Sequence, residues 1–142
     1  MGKDEDMQAI DWYLECWTKK YARFSGRARR KEFWMFGLFN ALVAVVLAGV
    51  AQAVPALQIL PMGYSVAASI PQLCVSIRRL HDIGKSGWWA ALPYGAMSLW
   101  FALPCSATAL AALAVNIVML AWYVRPGDAG SNAWGDDPKA EA

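Results

Sequence analysis

The side chains best suited to chemistry lie together in residues 78–89, whose sequence is RRLHDIGKSGWW. His81, the single histidine of the chain, could serve as a general acid or base if a carboxylate oriented its ring. Asp82 follows it directly, but successive side chains on a helix point about 100° apart, so Asp82 is poorly placed to orient His81. A catalytic site that modifies lipid is therefore one hypothesis for this stretch, but not the leading one.

Arg78 and Arg79 allow two other interpretations. Arginine binds phosphate with paired N–H donors, so these residues could hold the headgroup of an anionic lipid. Alternatively, one of them could pair with Glu32 or with Asp137 and so tie distant parts of the chain together. We favour the ion pair and keep lipid binding and catalysis as the alternatives.

Gly84, Lys85 and Ser86 look like the end of a phosphate-binding P-loop. That motif requires a glycine five positions before Gly84, where this chain has Arg79, and a strand where this chain has an apolar helix. We therefore set a nucleotide site aside. The same residues predict that Gly84 ends one helix in the left-handed conformation and that Ser86 caps the next one.

A second basic group precedes the first apolar segment. If Ser25 caps a helix there, Arg27, Arg30, Lys31 and Trp34 share one face of it. Such a flank could serve only to fix membrane topology, or it could bind anionic headgroups, since each basic side chain gains about 1 kcal/mol near an anionic surface. Nucleic-acid binding is not predicted, because no nucleic-acid motif accompanies these residues.

The distribution of charge indicates a membrane protein. Residues 33–77 and 88–124 contain no Asp, Glu, Lys or Arg, so all 13 basic and 11 acidic side chains lie outside them. Helices of soluble proteins normally carry a charged face, whereas hydrocarbon excludes charge. A hydrophobic fraction of 58% and a mean hydropathy of +0.30 agree with this assignment.

The predicted fold is an all-α polytopic membrane bundle in one domain, residues 1–142, with four transmembrane helices, or three as the alternative. About 20 apolar residues cross the hydrocarbon, so each uncharged segment accommodates two spans. An amphipathic helix at the membrane interface precedes them. The predicted boundaries are 7–24 for the interfacial helix, 33–54, 62–80, 88–103 and 107–124 for the spans, and 125–142 for a cytoplasmic tail.

Basic residues predict the orientation. Residues 1–32 contain eight, residues 78–87 contain three and the tail contains two, whereas the turns near Pro55 and Pro104 contain none. With four spans, all of them fall on one side of the membrane, and the positive-inside rule makes that side the cytoplasm. The N-terminus is therefore expected to be cytoplasmic.

Polar groups are few within the uncharged segments. Pro71 lacks an N–H, so we expect a kink, and Ser69, Gln72 or a neighbouring helix must satisfy the carbonyl that Pro71 frees. The segments contain no Asp, Glu, Lys, Arg or His, which argues against active transport, but an oligomer could still form a pore. The residues that could line it are Asn40, Ser65, Ser69, Gln72 and Asn116.

No metal or cofactor site is predicted. Cys16, Cys74 and Cys105 lie in three different segments and match no metal-ligand spacing, and one histidine adds little to a ligand set. We expect three reduced thiols.

Three blocks of the sequence resemble the bacterial inner-membrane family known as domain of unknown function 805 (DUF805), the YhaH-like proteins. They are FSGRARRKEFW at residues 24–34, RRLHDIGKSGWW at residues 78–89, and a tail block of Pro126, Gly127, Asn132, Gly135, Asp137 and Pro138. The resemblance implies a small polytopic protein of the bacterial inner membrane. It implies no activity.

The sequence therefore predicts a non-enzymatic module that binds anionic membrane lipid, or a partner protein, through a fixed basic face on the cytoplasmic side. An oligomeric pore for ions or small solutes and a lipid-modifying enzyme are the alternatives, and a homo-oligomer is compatible with each. The candidate binding or structural residues are Arg27, Arg30, Glu32, Arg78, Arg79, His81, Asp82, Lys85, Ser86, Asn132 and Asp137.

Overall fold

The computed structural model describes residues 8–139 as a series of helices. The α-helices are α1 (Ala9–Thr18), α2 (Arg30–Ala53), α3 (Ile59–Asp82), α4 (Ala91–Ala102) and α5 (Ser106–Val124). Short 3-10 helices precede α3 and α4, at Pro55–Leu57 and Gly87–Ala90. No strand occurs among the described residues, where an isolated β-bridge joins Asn132 to Gly135. The predicted all-α fold is confirmed.

Three of these helical segments are long and apolar enough to cross a membrane. They are Arg30–Ala53, Pro55–Asp82 and Ser106–Val124. The ends of α2, α3 and α5 differ from those of the predicted spans by at most three residues. Apolar side chains on these helices are exposed, Val45 by 70% and Leu110 by 65%, as expected of residues that face lipid. The structure is thus consistent with the predicted helical membrane bundle.

The described chain forms two compact units. Unit 1 contains residues 8–24 and 31–75, and unit 2 contains residues 25–30 and 76–139. In unit 1, α1 buries Trp12 and Cys16 almost completely, and its Tyr13 stacks on Phe36 of α2 with 5.6 Å between the ring centroids. One face of α1 is therefore fixed against protein, and its placement at the membrane interface stays a prediction.

Tyr21 compensates for a hydrogen bond that Pro71 removes from α3. Pro71 has no N–H, so the carbonyl of Ala67, four residues earlier, loses its helical donor. The Tyr21 hydroxyl donates to that carbonyl at 2.9 Å, whereas Ser69, a predicted donor, bonds to Val66 instead. The predicted helix 7–24 accordingly ends early, at Thr18, because the chain beyond α1 leaves the helix and carries Tyr21 to α3.

Replacing Tyr21 with phenylalanine should lower the free energy of unfolding by about 1 kcal/mol, because a half-buried carbonyl loses its donor. Reversible unfolding in mixed detergent micelles, followed by circular dichroism, measures the effect. In a Pro71→Ala background the same change should cost almost nothing, since the N–H restored at position 71 can bond to Ala67. Equal costs in the two backgrounds would show that the hydroxyl does not replace the missing donor.

The end of α3 in unit 2 has the conformation predicted from Gly84. Gly84 adopts φ +70°, and the N–H of Lys85 bonds to the carbonyl of Leu80 at 2.9 Å, which is how a helix closes at a left-handed residue. Ser86 accepts the N–H of Trp88 at 3.4 Å and so caps the 3-10 helix that follows. Both predictions for this loop are confirmed.

The helices α4 and α5 lie side by side in unit 2. Arg79, near the end of α3, donates to the carbonyl of Tyr123, near the end of α5, at 3.1 Å, so the C-terminal ends of α3 and α5 meet. The chain after Asp82 must therefore reach the far end of α5, which is 19 residues and about 28 Å long. The 3-10 helix Gly87–Ala90 and the 12 residues of α4 cover about 26 Å of it. This connection corresponds to the predicted span 88–103, and its α4 packs against α5.

Candidate functional site

The candidate site is a buried ionic cluster in unit 2, centred on Asp82 at the end of α3. Arg27 donates from Nε to Oδ1 of Asp82 at 3.0 Å, and Arg79 donates from Nη1 to Oδ2. All three residues are 8% exposed or less. A buried carboxylate is thus held between two guanidinium groups, and the cluster carries one positive charge in excess.

The backbone that follows α5 binds both arginines. Arg79 donates to the carbonyls of Tyr123 and Arg125, at the C-terminal end of α5. The last carbonyls of a helix lack intrahelical donors and attract cations, so this contact suits both groups. Arg27 donates to three carbonyls of the tail, those of Asp128, Gly130 and Gly135. The cluster therefore anchors the tail to the end of α3.

Backbone contacts bring the chain segments of the cluster still closer. The N–H of Asp128 donates to the carbonyl of Asp82 at 2.7 Å, and the N–H of Ala28 donates to the carbonyl of Arg78 at 3.0 Å. Gly127 passes so near the Asp82 side chain that a Cβ at this position would overlap its carboxylate. The tail therefore packs directly over Asp82 and closes it off.

His81 is enclosed on several sides. Its Nδ1 lies 3.1 Å from the carbonyl oxygen of Gly26, and its ring stacks on the indole of Trp134 with centroids 3.9 Å apart and an interplanar angle of 2°. A Cβ at Gly87 would lie 3.1 Å from Nε2. The Asp82 carboxylate bonds to Arg27 and Arg79 and does not orient the His81 imidazole. This agrees with the prediction from the sequence. These contacts leave His81 6% exposed.

Further side chains hold the tail in the same place. Asn132 donates to the carbonyl of His81 at 2.9 Å and to the carboxylate of Asp128 at 3.2 Å. Arg29 donates from Nε to the carbonyl of Pro138 at 2.6 Å. The sequence singled out Asn132 but not Arg29, whose acceptor is a backbone group that carries no sequence signature.

Asp137 organises the tail itself. Its carboxylate accepts the N–H of Lys139 at 2.9 Å and that of Gly130 at 3.1 Å. The bond from Lys139 lowers the pKa of Asp137 most, and the Gly130 bond and the positive charge of Arg27 lower it further. The carboxylate is therefore ionised at neutral pH and closes a loop of the tail.

The predicted acidic partner of Arg79 needs correction. For Arg79 the predicted pairing with Glu32 or Asp137 is wrong, because Asp82, one helical turn further along α3, takes its guanidinium. Glu32 lies in unit 1, where its carboxylate accepts a hydrogen bond from Lys20 at 3.3 Å. The signal for the correct pair was the i, i+3 spacing of Arg79 and Asp82 on one helix face.

The predicted helix start at Ser25 is also wrong. α2 begins at Arg30, so Arg27 does not share a helical face with Arg30 and Trp34. Gly26 adopts φ +87°, which turns the chain before the helix and directs Arg27 into the cluster. A residue interpreted as part of a solvated flank is thus held by the Asp82 carboxylate and three tail carbonyls.

Basic side chains that do not enter the cluster surround it in unit 2. Arg30 and Arg125 are exposed, and Lys85 places its Nζ 4.4 Å from the centroid of a Trp122 ring. We call Arg30, Lys85 and Arg125 the basic rim. Trp88, next to this rim in the sequence, is 86% exposed, as a tryptophan at a membrane surface would be.

The polar residues of the apolar helices bond locally. Asn116 donates to the carbonyl of Ala112 on its own helix at 2.8 Å, and Ser65 donates to that of Pro61 at 2.7 Å. Asn40 accepts the hydroxyl of Tyr64 at 2.5 Å. Asn40, Ser65 and Asn116 each therefore have a hydrogen-bond partner within the protein. Within residues 8–139, no group of three or more His, Cys, Asp or Glu side chains is arranged to hold a metal ion.

The chain matches a protein-family model described as "Protein of unknown function (DUF805)" over residues 21–136, a range that includes Asp82 and both of its arginines. The chain belongs to the DUF805 family. It is similar to the inner membrane protein YhaI of Escherichia coli strain K12, at 39% identity over 132 residues that cover 92% of this chain and 97% of YhaI. The inner membrane protein YhaH of the same strain is 35% identical over 138 residues, covering 93% and 99%.

No solved structure matches the chain. The family assignment confirms the resemblance of the three sequence blocks, and the two relatives are named as inner membrane proteins. Together with three helical segments of membrane-spanning length, this makes the DUF805 chain a small inner-membrane protein of a family whose function is unknown.

Proposed function

We propose that this chain is a non-enzymatic module of the bacterial inner membrane that binds anionic lipid through its basic rim. The buried cluster fixes the protein behind the rim and is not itself the binding site. One observation carries the proposal: Arg27 and Arg79 are occupied by Asp82 and by tail carbonyls, whereas Arg30 and Arg125 stay exposed. Arg30 and Arg125 are therefore available to a headgroup.

The surroundings of His81 and Asp82 favour this role over catalysis. A general base needs access to its substrate, but His81 lies between Trp134 and Gly87, and the Gly127 backbone covers the Asp82 carboxylate. The charge of that carboxylate is balanced by two arginines. A fixed structural cluster accounts for each of these contacts.

The membrane topology that fits the proposal has four crossings. α4 packs against α5, and the 3-10 helix and α4 are together about 26 Å long, so they form the fourth crossing of this topology if α5 crosses the bilayer. The basic residues before α2, at the end of α3 and after α5 then share one side of the membrane. The positive-inside rule places that side, with the N-terminus and the tail, in the cytoplasm.

The rim has the composition of a lipid-binding surface. Basic side chains near an anionic leaflet gain about 1 kcal/mol each, which corresponds to about a fivefold change in affinity per charge. Trp88 and Trp89 are both exposed at the start of the 3-10 helix, where indole rings anchor a protein at headgroup level. Cations and indoles therefore occur together at the same end of the α4–α5 pair.

The proposal is tested by native mass spectrometry of the purified protein with phosphatidylglycerol and phosphatidylcholine of identical acyl chains. The wild type should retain phosphatidylglycerol preferentially, and Arg30→Gln combined with Arg125→Gln should lower its retention by about fivefold per charge. Lys19→Gln combined with Lys139→Gln removes two exposed charges outside the rim and should leave retention unchanged. Equal retention of both lipids by the wild type would refute the proposal.

A further inference from the structure

An apolar groove lies between α4 and α5 in unit 2 and has a volume of about 340 Å³. Trp89 and Leu92 line one side, and Ala114, Val118 and Trp122 line the other. Ligand-binding clefts have volumes of about 300–1,000 Å³, so the groove is large enough to hold part of a ligand. The small side chain of Ala114 helps to leave this space open between the two helices.

Two tryptophans at one end of the groove have a lysine as their neighbour. The rings of Trp89 and Trp122 meet edge to face, with centroids 5.3 Å apart and an interplanar angle of 90°. Lys85 lies over a Trp122 ring at 4.4 Å, a cation–π contact that holds its ammonium group beside one of the residues that line the groove. Among the described residues, no carboxylate forms an ion pair with Lys85. A cation that has no acidic partner in residues 8–139 therefore lies next to the tryptophan end of an apolar groove.

This combination matches the chemistry of a phospholipid. An acyl chain is uniformly apolar, as the lining of the groove is, and a headgroup phosphate supplies the negative charge that Lys85 can bind. A helix from a second copy of the chain would match less well. Its uncharged segments, residues 33–77 and 88–124, could fill the groove but offer no carboxylate to Lys85.

We infer that the α4–α5 groove binds one anionic phospholipid, with an acyl chain along the groove and the headgroup phosphate at Lys85. This inference rests on the proposed function and assigns it a particular site. It also gives the Gly84-Lys85-Ser86 loop a role: the helix end at Gly84 and the cap at Ser86 hold Lys85 between two helices, beside Trp122 of the groove.

Two variants test the two halves of the site with the lipid pair used above. Lys85→Gln removes the charge and should lower phosphatidylglycerol retention about fivefold, towards that of phosphatidylcholine. Ala114→Leu fills the groove and should lower retention of both lipids. Lys139→Gln and Ala41→Leu make the same chemical changes at exposed positions elsewhere and should behave as wild type. Circular dichroism and size-exclusion chromatography verify folding, and Val118→Phe replaces Ala114→Leu if that variant does not fold.

Photolabelling of the wild-type protein is an independent test that needs no variant. Phosphatidylglycerol with a diazirine on its acyl chain should label residues 114–122, and labelling confined to other segments overturns the inference.

If the wild type prefers phosphatidylglycerol but either variant retains it at the wild-type level, the groove is not the site and the proposed function stands. If the wild type shows no preference, both fail. If filling the groove shifts the monomer–dimer ratio and leaves lipid retention unchanged, a second copy is the occupant.

Discussion

Asp82→Asn should cost about 3–5 kcal/mol of stability, because it leaves two buried guanidinium groups without their shared counter-charge. Asparagine keeps the shape of the side chain but offers one oxygen acceptor where the carboxylate offers two, and its NH₂ group faces a donor of Arg27 or Arg79. The arginines cannot turn to solvent, since Asp82 and Arg79 are buried and tail carbonyls hold Arg27. Reversible unfolding in mixed micelles, followed by circular dichroism, measures the loss.

Asp136→Asn is the matched control, because Asp136 is an exposed tail residue and the same change there should alter stability by about 0.5 kcal/mol at most. A double-mutant cycle adds a second measurement. If Asp82 and Arg27 act as a pair, Asp82→Asn combined with Arg27→Gln should cost less than the sum of the two single changes. Additive costs, or an Asp82→Asn variant as stable as the control, would show that the tail carbonyls alone hold the arginines.

The spans of α2, α3 and α5 could be predicted from the sequence because one physical rule dominates there. Placing a charge in hydrocarbon is costly, so a long uncharged segment indicates a membrane span even when the packing of the helices is unknown. The conformation of the loop after α3 could also be predicted, because Gly84 and Ser86 act through their own backbone and their immediate neighbours. In both cases the cause is local or compositional.

The pairing of charged groups within the cluster could not be predicted in the same way. The sequence identified most of its polar members, including Arg79, His81, Asp82 and Asn132, but Glu32 and Asp137 were chemically equivalent candidates for the arginines. Which carboxylate meets which guanidinium depends on the path of the loop before α2 and of the tail. Arg27 reaches Asp82 across 55 positions of sequence, a distance over which no periodicity carries information.

The contacts that the sequence missed altogether involve backbone acceptors or stacking. Trp134 stacks on His81 from within a tail of turn residues that has no helical or strand period. Tyr21 finds the carbonyl freed by Pro71 only because α1 ends at Thr18. Carbonyl groups are identical at every position, so a side chain that bonds to one leaves no pattern to recognise. Such contacts require coordinates.

Gly127→Ala should lower the free energy of unfolding by about 3 kcal/mol, the upper range for overpacking a well-packed site. The added methyl would overlap the Asp82 carboxylate, which cannot withdraw because Arg27 and Arg79 hold both of its oxygens. The tail would have to move away, and the bond from the N–H of Asp128 to the Asp82 carbonyl would weaken with it. Unfolding in mixed micelles again provides the measurement.

Gly95→Ala is the control for this change, because a Cβ at Gly95 in α4 meets nothing within 4 Å and alanine favours the helix by about 0.5–1 kcal/mol. The decisive comparison is in an Asp82→Ala background, where the obstructing carboxylate is gone and Gly127→Ala should cost almost nothing more. A full cost there would assign the effect to the tail backbone instead of the cluster. Folded Gly127→Ala protein should still prefer phosphatidylglycerol, because the side chains of the proposed lipid site take no part in holding Asp82.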